Sequence, residues 1–501
     1  MDKTDGLEVS SEEAPGSPGA PFPGDPAGEP GPFGSPGPCA ATAGALGPCR
    51  AWLLTGLYAA AVAAPPVLAM LSGQAFDGEN PIYQAGRCCA LSAIMILALQ
   101  VVLAGRFAAV ERSFGLDALV RFHRRMAVGA GVLLLAHPVL LALGGEGFEI
   151  FTALNLPWYI WLAKAALALL AANLLTSLFQ RKLSLGFEGW RVLHDLLGPA
   201  VVLLAFIHSW FVEGGFTTAP AATPFPRLAS AAHHALAPLW QLTVCSALAL
   251  MAWHRLVRPR LLARRPYTVT AVRLEAPGVW TLELAPPKGE TFAYLPGQFQ
   301  FLTLKRGRNL PEEEHHFTIS SSPAQRRFVS ATIKEAGDFT ATIGRTQPGD
   351  KAVVQAPFGR FSYLAHPGDE NLVFLAGGIG VTPLMGMLRH MRDTASNLPV
   401  TFLYANRTQA DMVFAGELED IRAGGHPRLK LVHVLSRPEP GWEGARGRLD
   451  EGIIRRACGD LTGKAFYVCG PPGLVAASLR TLKALGVPSG RIRREFFSFL
   501  D

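Results

Sequence analysis

Six apolar blocks, each close to or above the roughly 20 residues a helix needs to cross the hydrocarbon core of a bilayer, constrain this chain most. They lie at about 51–72, 86–108, 119–143, 157–180, 191–213 and 236–257. From Pro266 onward the pattern changes, and charged and polar residues recur every few positions as in a soluble α/β protein. One half belongs in lipid and the other in water. Residues 1–48 are rich in Pro, Gly, Ala and Glu and cannot bury enough apolar area to offset chain entropy, so a disordered tail is expected there. That tail has no basic start followed by an apolar core and a small-residue cleavage site, so a signal peptide is not expected in it.

The net charge of +7 does not point to nucleic acid, because the basic residues cluster at the ends of the apolar blocks. Arg112, Arg121, Arg124 and Arg125 fall between spans two and three, and Arg181, Lys182 and Arg191 between four and five. Arg255, Arg258, Arg260, Arg264 and Arg265 follow span six, whereas the opposite loops at about 73–86, 144–156 and 214–235 contain only Arg227. The positive-inside rule then puts the N-terminal tail, these basic segments and the C-terminal half in the cytoplasm, as a multi-pass protein of the cell (inner) membrane. The seven cysteines form no C-x-x-C pair, which supports neither a zinc site nor a disulfide framework.

Histidine is costly in lipid, so an intramembrane histidine is a functional candidate. Span three holds His123 and His137, span five holds His194 and His208, and both intervals are 14 residues. At about 1.5 Å and 100° per residue that is roughly 21 Å and close to four whole turns, so each pair projects from one helix face. Spans three and five run in the same direction. His123 is therefore level with His194 near the cytoplasmic side, and His137 with His208 near the outer side. Two facing imidazoles can supply both axial ligands of a haem iron, which favours electron transfer over ligand binding. Two stacked b-type haems are expected. Gly129, Gly131 and Gly198 fall between the two levels and suit either a porphyrin face or helix packing. Lys164, level with the outer pair, either meets a haem propionate or snorkels to the interface.

The C-terminal half begins with short β runs (YTVTAVRLEAPGVWTLEL, GQFQFLTL, RRFVSATIK), which suggest an antiparallel barrel to about residue 366. A β/α alternation follows, opening on NLVFLAGGIGVTPLMGMLRHM. Its first strand-to-helix turn, Gly377-Gly378-Ile379-Gly380-Val381-Thr382-Pro383, allows close backbone approach to a pyrophosphate at a helix N-terminus. The pattern is G-x-G-x-x-P and not the G-x-G-x-x-G of ordinary dinucleotide folds.

The run His315-His316-Phe317-Thr318-Ile319-Ser320-Ser321-Ser322-Pro323, the Gly378–Pro383 turn and Cys469-Gly470-Pro471-Pro472 occur in that order behind the paired histidines. Together they resemble the ferric reductase and NADPH oxidase superfamily over about residues 50–501, with a C-terminal half similar to ferredoxin-NADP reductases. The resemblance implies a multidomain fold: a disordered tail (1–48), a six-helix all-α transmembrane haem domain (49–260), an antiparallel β-barrel FAD domain (264–367) and an α/β NAD(P)H domain (368–501). It implies that Phe317 lies along the flavin ring, that Thr318 bonds near its reactive nitrogen, and that His315 and Ser321 serve the FAD phosphates or ribityl chain. Thr340, in Lys334-Glu335-Ala336-Gly337-Asp338-Phe339-Thr340, matches the donor of a pyrophosphate loop. His316 stands where the family usually has Pro.

For the nicotinamide nucleotide, the resemblance puts the Gly378, Gly380, Thr382 and Pro383 turn and the Cys469, Gly470 and Pro471 turn against the cofactor. Arg407, Ser436 and Arg437 fall at its adenosine end, where their donors and positive charge favour the 2′-phosphate of NADPH over NADH. Glu495-Phe496-Phe497 resembles a family ending in which an aromatic ring, here Phe497, covers the flavin until nicotinamide displaces it. Hydride carries two electrons and haem takes one, so FAD stands between them as converter. The expected function is a transmembrane oxidoreductase passing electrons from cytosolic NAD(P)H through FAD and two haems to an outer acceptor. A ferric or cupric chelate is favoured over dioxygen, because Leu141 occupies the place where the oxidase branch often carries a further histidine. The alternatives are an NADPH oxidase that forms superoxide, and a haem subunit relaying electrons to a protein partner. Membrane lipid is an expected partner, nucleic acid is not, and the oligomeric state is left open.

Overall fold

The computed structural model describes residues 47–71, 80–180, 182–212 and 226–495. The expectations for most of the tail and for Phe497 lie outside the described residues. The chain enters through α1 (Gly47–Ala69) and α2 (Pro81–Ala104), then a short helix α3 (Ala108–Phe114) and α4 (Leu116–Leu141). It continues through α5 (Trp158–Leu178), α6 (Phe187–Phe211) and α7 (Pro226–Ala252) to a short helix α8 (Arg258–Ala263). Helices α1, α2, α4, α5, α6 and α7 contain the six stretches long and apolar enough to cross a membrane, one for each block read from the sequence. α2 begins where the Asn80 side chain accepts from the Ile82 N–H at 2.9 Å and Pro81 presets the first turn. α4 and α7 run on through π-helical segments at Ala142–Glu146 and Trp253–Val257, so both spans are longer than their apolar blocks. Residues such as Met95, Ala130, Leu170, Val202 and Trp240 pack the interior of this bundle.

The C-terminal half forms two sheets. The first holds β1 (Tyr267–Ala276), β2 (Val279–Ala285), β3 (Phe299–Lys305), β4 (Glu314–Thr318), β5 (Val329–Lys334) and β6 (Lys351–Phe358), in the order β4-β3-β6-β1-β2-β5. Its pairings are antiparallel, and a bridge between Ile319 and Ala331 joins the two ends of the series into a barrel. Leu282, Leu284, Leu302 and Leu304 fill it.

The second sheet alternates strands and helices: β7 (Leu372–Gly377), α9 (Val381–Asp393), β8 (Pro399–Asn406), α10 (Ala415–Gly424), β9 (Arg428–Leu435), β10 (Ala445–Arg446), α11 (Glu451–Cys458), β11 (Ala465–Cys469), α12 (Pro472–Ala484) and β12 (Ile492–Glu495). All its pairings are parallel, in the order β10-β9-β8-β7-β11-β12. β7 is buried along its whole length, and residues from both faces of it enter separate apolar layers, which is why LVFLAG reads as a continuous apolar run. The strand order reverses direction at β7 and β11, which places a crevice at their C-terminal ends.

Candidate functional site

In the bundle, the four histidines stand on α4 and α6 as two levels. The His123 and His194 rings are 6.1 Å apart centre to centre. Two imidazoles gripping one iron at about 2.0–2.1 Å each put their ring centres roughly 6 Å apart, so this pair fits a bis-histidine haem. Three of the four rings are already held at Nδ1. His137 Nδ1 is 3.0 Å from the Gly86 carbonyl, His208 Nδ1 is 3.0 Å from the Tyr159 carbonyl, and His194 Nδ1 is 2.9 Å from Asn173 Oδ1. An oxygen of that kind only accepts, so Nδ1 carries the proton and Nε2 keeps its lone pair for a metal. His123 Nδ1 lies beside the backbone of Gln100 with no partner at hydrogen-bond geometry among the described residues. Among those residues there is also no group of three His, Cys, Asp or Glu side chains that could hold a metal ion.

The glycines divide. A Cβ on Gly131 would meet Leu174 Cδ1 at 2.7 Å, so its smallness serves helix packing, whereas Gly198 has only the Asn173 amide nitrogen within reach, at 4.0 Å. Lys164 Nζ donates to the Phe151 carbonyl at 3.3 Å and sits 4.6 Å above the Trp161 ring.

The barrel docks on the bundle through α3 and the start of α4. Leu116, Phe299, Phe301 and Phe358 form one buried cluster with Val120 against it, each full burial worth about 1.5–3 kcal/mol. The Arg106 guanidinium lies 3.5 Å from the Phe301 ring centre and pairs with Glu314 at 2.9 Å. Burial holds its pKa below the usual guanidinium range, and Glu314 opposes that. Glu111, 1% exposed, accepts from the Gly359 N–H at 2.8 Å, and Arg360 donates to the Ser113 carbonyl at 2.8 Å. Burial raises the Glu111 carboxyl above its ordinary value, and the Gly359 bond counters it. The apolar cluster dominates this seam, since a partly exposed ion pair contributes only about 0–1 kcal/mol.

A cavity of about 360 Å³ opens along the same seam, lined in part by Asp117, Phe299, Arg360, Arg493 and Glu495. Glu495 keeps some open surface on that side but is crowded by protein, and its carboxyl is pushed up to about 8, mainly by desolvation, with Asp117 and Glu111 adding. On its other side Glu495 is level with Cys469 across the β11–β12 pairing. The Cys469 thiol is fully buried, and burial, then Glu495, push its pKa well up, so it presents a neutral edge and not a thiolate.

Two turns meet at the crevice. Gly378 takes φ +51°, Thr382 Oγ1 donates to the Ile379 carbonyl at 3.0 Å, and Pro383 is buried in the first turn of α9. A Cβ on Gly470 would stand 3.1 Å from the Gly377 nitrogen, and Pro471 follows as the N-cap of α12. Gly378, Gly380, Thr382, Pro383, Cys469, Gly470 and Pro471 are thus brought together. At the ends of β8 and β9 the Arg437 N–H donates to the Arg407 carbonyl at 2.7 Å and the Ser436 N–H to the Asn406 carbonyl at 3.1 Å. Arg407, Ser436 and Arg437 are exposed, and neither guanidinium has an ion-pair partner among the described residues.

On the barrel, Thr318 is buried and pairs with Phe299, and the Phe317 and Phe339 rings stack 6.5 Å apart. His315 stacks on Phe339 at 4.3 Å and its Nε2 is 2.9 Å from Glu313 Oε2. Ser321 Oγ is 2.9 Å from the Tyr294 hydroxyl and accepts from the Ser330 N–H at 3.0 Å. Thr340 Oγ1 accepts from the Ala336 and Gly337 N–H groups at 2.8 and 2.9 Å, at the start of a 3₁₀ turn. Reading the sequence missed Asn173, Arg106 and Glu111, and took Glu495 only as part of the Glu495-Phe496-Phe497 ending. Asn173 did leave a signal, since Tyr159 and Asn173 are separated by the same 14 residues as each histidine pair.

Six membrane-length helices followed by an antiparallel barrel and a parallel nucleotide sheet define a multi-pass membrane protein with an oxidoreductase module for FAD and NAD(P)H. Residues 89–205 match the family described as ferric reductase like transmembrane component, and residues 374–479 match the oxidoreductase NAD-binding domain family. In that order they match a fusion of the ferric reductase and NADPH oxidase type. Similar curated proteins include the glycine betaine monooxygenase reductase subunit of Chromohalobacter salexigens, 32% identical over 212 residues, and the propane 2-monooxygenase reductase component of Mycolicibacterium goodii, 28% identical over 239. These matches cover 41% and 46% of this chain and 56% and 66% of those proteins, less than two thirds of either. Among solved structures, the FAD/NAD-binding domain of nitric oxide dioxygenase from Vibrio cholerae matches with 22% identity and a TM-score of 0.42, covering 46% of this chain and 97% of that one.

Proposed function

We propose that this chain is a transmembrane oxidoreductase that takes electrons from cytosolic NADPH, with NADH as a possible donor, and delivers them through FAD and two b-type haems to a ferric or cupric chelate on the outer face. In this reading residues 49–260 form the haem domain, 264–367 the FAD domain and 368–501 the NAD(P)H domain, with both termini cytoplasmic at the cell membrane. The observation that carries it is the pair of histidine levels, with three rings fixed at Nδ1 so that Nε2 is left for iron. His123 and His194 would hold the inner haem, and His137 and His208 the outer one. Bound FAD would supply the exchange of hydride for single electrons, and haem held by the paired histidines would supply their one-electron transfer.

The chain's own residues orient and shield. The Gly378–Pro383 and Cys469–Pro471 turns hold the nicotinamide nucleotide by backbone approach, and the neutral Cys469 thiol borders the ring without attacking it. Phe317 and Thr318 set the plane and edge of the flavin, and His315, Ser321 and Thr340 flank its ribityl and phosphate end. Arg407, Ser436 and Arg437 receive the 2′-phosphate.

The test is initial NADPH oxidation with saturating ferric chelate under nitrogen, compared with superoxide yield in air. Fast reduction of the chelate with a minor superoxide yield is expected. Because Arg227 is the main positive charge of the outer loops, the rate should depend weakly on ionic strength. Slow chelate reduction, with superoxide accounting for nearly all electrons in air, would replace this acceptor with dioxygen.

A further inference from the structure

The histidines and the groups beside their Nδ1 atoms form a two-level frame drawn from four helices. Gly86 and Gln100 on α2, His123 and His137 on α4, Tyr159 and Asn173 on α5, and His194 and His208 on α6 are each 14 residues apart. At the outer level both rings are held by peptide carbonyls, Gly86 and Tyr159. At the inner level, among the described residues, His194 has a partner at bonding distance, the side chain of Asn173 through Oδ1, whereas His123 Nδ1 lies beside the Gln100 backbone without hydrogen-bond geometry. One substitutable residue therefore does at the inner level what the backbone does at the outer.

Asn173 is 8% exposed in a predominantly apolar helix, where an unpaired amide costs about 1–3 kcal/mol, so the bond to His194 accounts for its tolerance there. Its surroundings fix the ring as well as the proton. Ser177 Oγ donates to the Asn173 carbonyl at 2.7 Å and receives the Trp190 indole N–H at 3.3 Å, while Trp190 stacks on His194 at 5.3 Å and 29°. The Ser177 hydroxyl is 3.4 Å from His194 Nδ1 against 2.9 Å for Asn173 Oδ1, so the amide oxygen is the nearer acceptor.

We propose that Asn173 is a positioning residue for the inner haem, which locks His194 in its Nδ1–H form and lowers the reduction potential of that haem. An acceptor on Nδ1–H makes the imidazole a stronger donor and stabilises ferric iron, and losing such an outer partner typically costs about 10–100-fold. This inference rests on the bis-histidine haem reading.

Both can be separated in one experiment on the full chain in detergent, using haem quantitation and a spectroelectrochemical titration. The wild type decides the haem reading first: two low-spin b haems are expected, and fewer would end that reading and this one together. Given two haems, Asn173→Leu should shift the ratio of reduced inner to reduced outer haem upward by about tenfold, 59 mV for one electron. Asn173→Asp, which keeps the shape and strengthens the acceptor, should leave the inner potential at or below wild type. If Asn173→Leu loads a single haem, Asn173→Asp carries the test, with two haems and no upward shift expected. An unchanged inner potential in a two-haem Asn173→Leu, or an upward shift in Asn173→Asp, would overturn the role of Asn173.

Discussion

The carbonyl oxygen of Cys469 lies where a Cβ on Gly380 would come within 2.4 Å of it, so the two turns of the nucleotide crevice are in direct backbone contact. No flexible side chain is available to give way. Gly380→Ala must therefore displace one turn, at a cost of about 1–3 kcal/mol. We expect the KM for NADPH to rise by roughly tenfold or more, for each 1.4 kcal/mol lost at the site, while the haem content stays the same. Steady-state kinetics checks this, and an unaltered KM would mean that the contact is not part of the nucleotide site.

His137→Leu removes one outer ligand and leaves the inner level intact. The expected protein carries one haem in place of two, still reduced by NADPH, with delivery to an outer ferric chelate falling to background. Anaerobic spectra and chelate reduction on the same preparation read both. Normal outer-face activity would contradict the order of carriers.

Arg437→Ala should weaken NADPH far more than NADH. A charge-assisted contact to the 2′-phosphate is worth about 1.5–3 kcal/mol, which is roughly ten- to more than a hundredfold in affinity. Comparing KM for the two nucleotides decides it, since an equal loss would place Arg437 away from that phosphate.

Glu495 makes stability depend on pH. Its carboxyl is raised from an ordinary value of 4.5 to about 8, so the folded chain holds a proton that the unfolded chain has released. Its favourable contribution is full below about pH 4.5 and is lost as pH rises toward 8. Glu495→Gln removes that loss, so the variant should melt closer to wild type at pH 5 and above it at pH 9. Parallel melting curves across that range would show that the carboxyl is not desolvated in this way.

How far the sequence could be read depended on which atoms carried each feature. The spans were legible because burial in lipid requires continuous apolar length, and the histidines because their side chains recur on one face. The matching anchors were not, because Gly86 and Tyr159 act through carbonyls that every residue possesses. The apolar blocks took in Trp253–Val257 but could not show that it is π-helical, nor that the third span runs on from residue 143 to Glu146. Glu111 and Gly359 meet across 248 residues of chain, so no local periodicity announces them. The glycine turns were legible as motifs, although only the structure shows that Gly380 and Gly470 exist to let the two turns touch.

Only residues 264–266 separate α8 from β1, and the Glu111–Gly359 and Arg106–Phe301 contacts close the other side of the joint. Donor and acceptor halves are therefore already assembled before any nucleotide arrives. Passage of electrons into the bundle should be first order in protein, unaffected by dilution or by raised viscosity, and a separate C-terminal half added in excess should not compete with the attached one. In the proposed electron path, such a joint removes collision between the two halves from the kinetics and leaves binding of the nucleotide and of the acceptor as the bimolecular events.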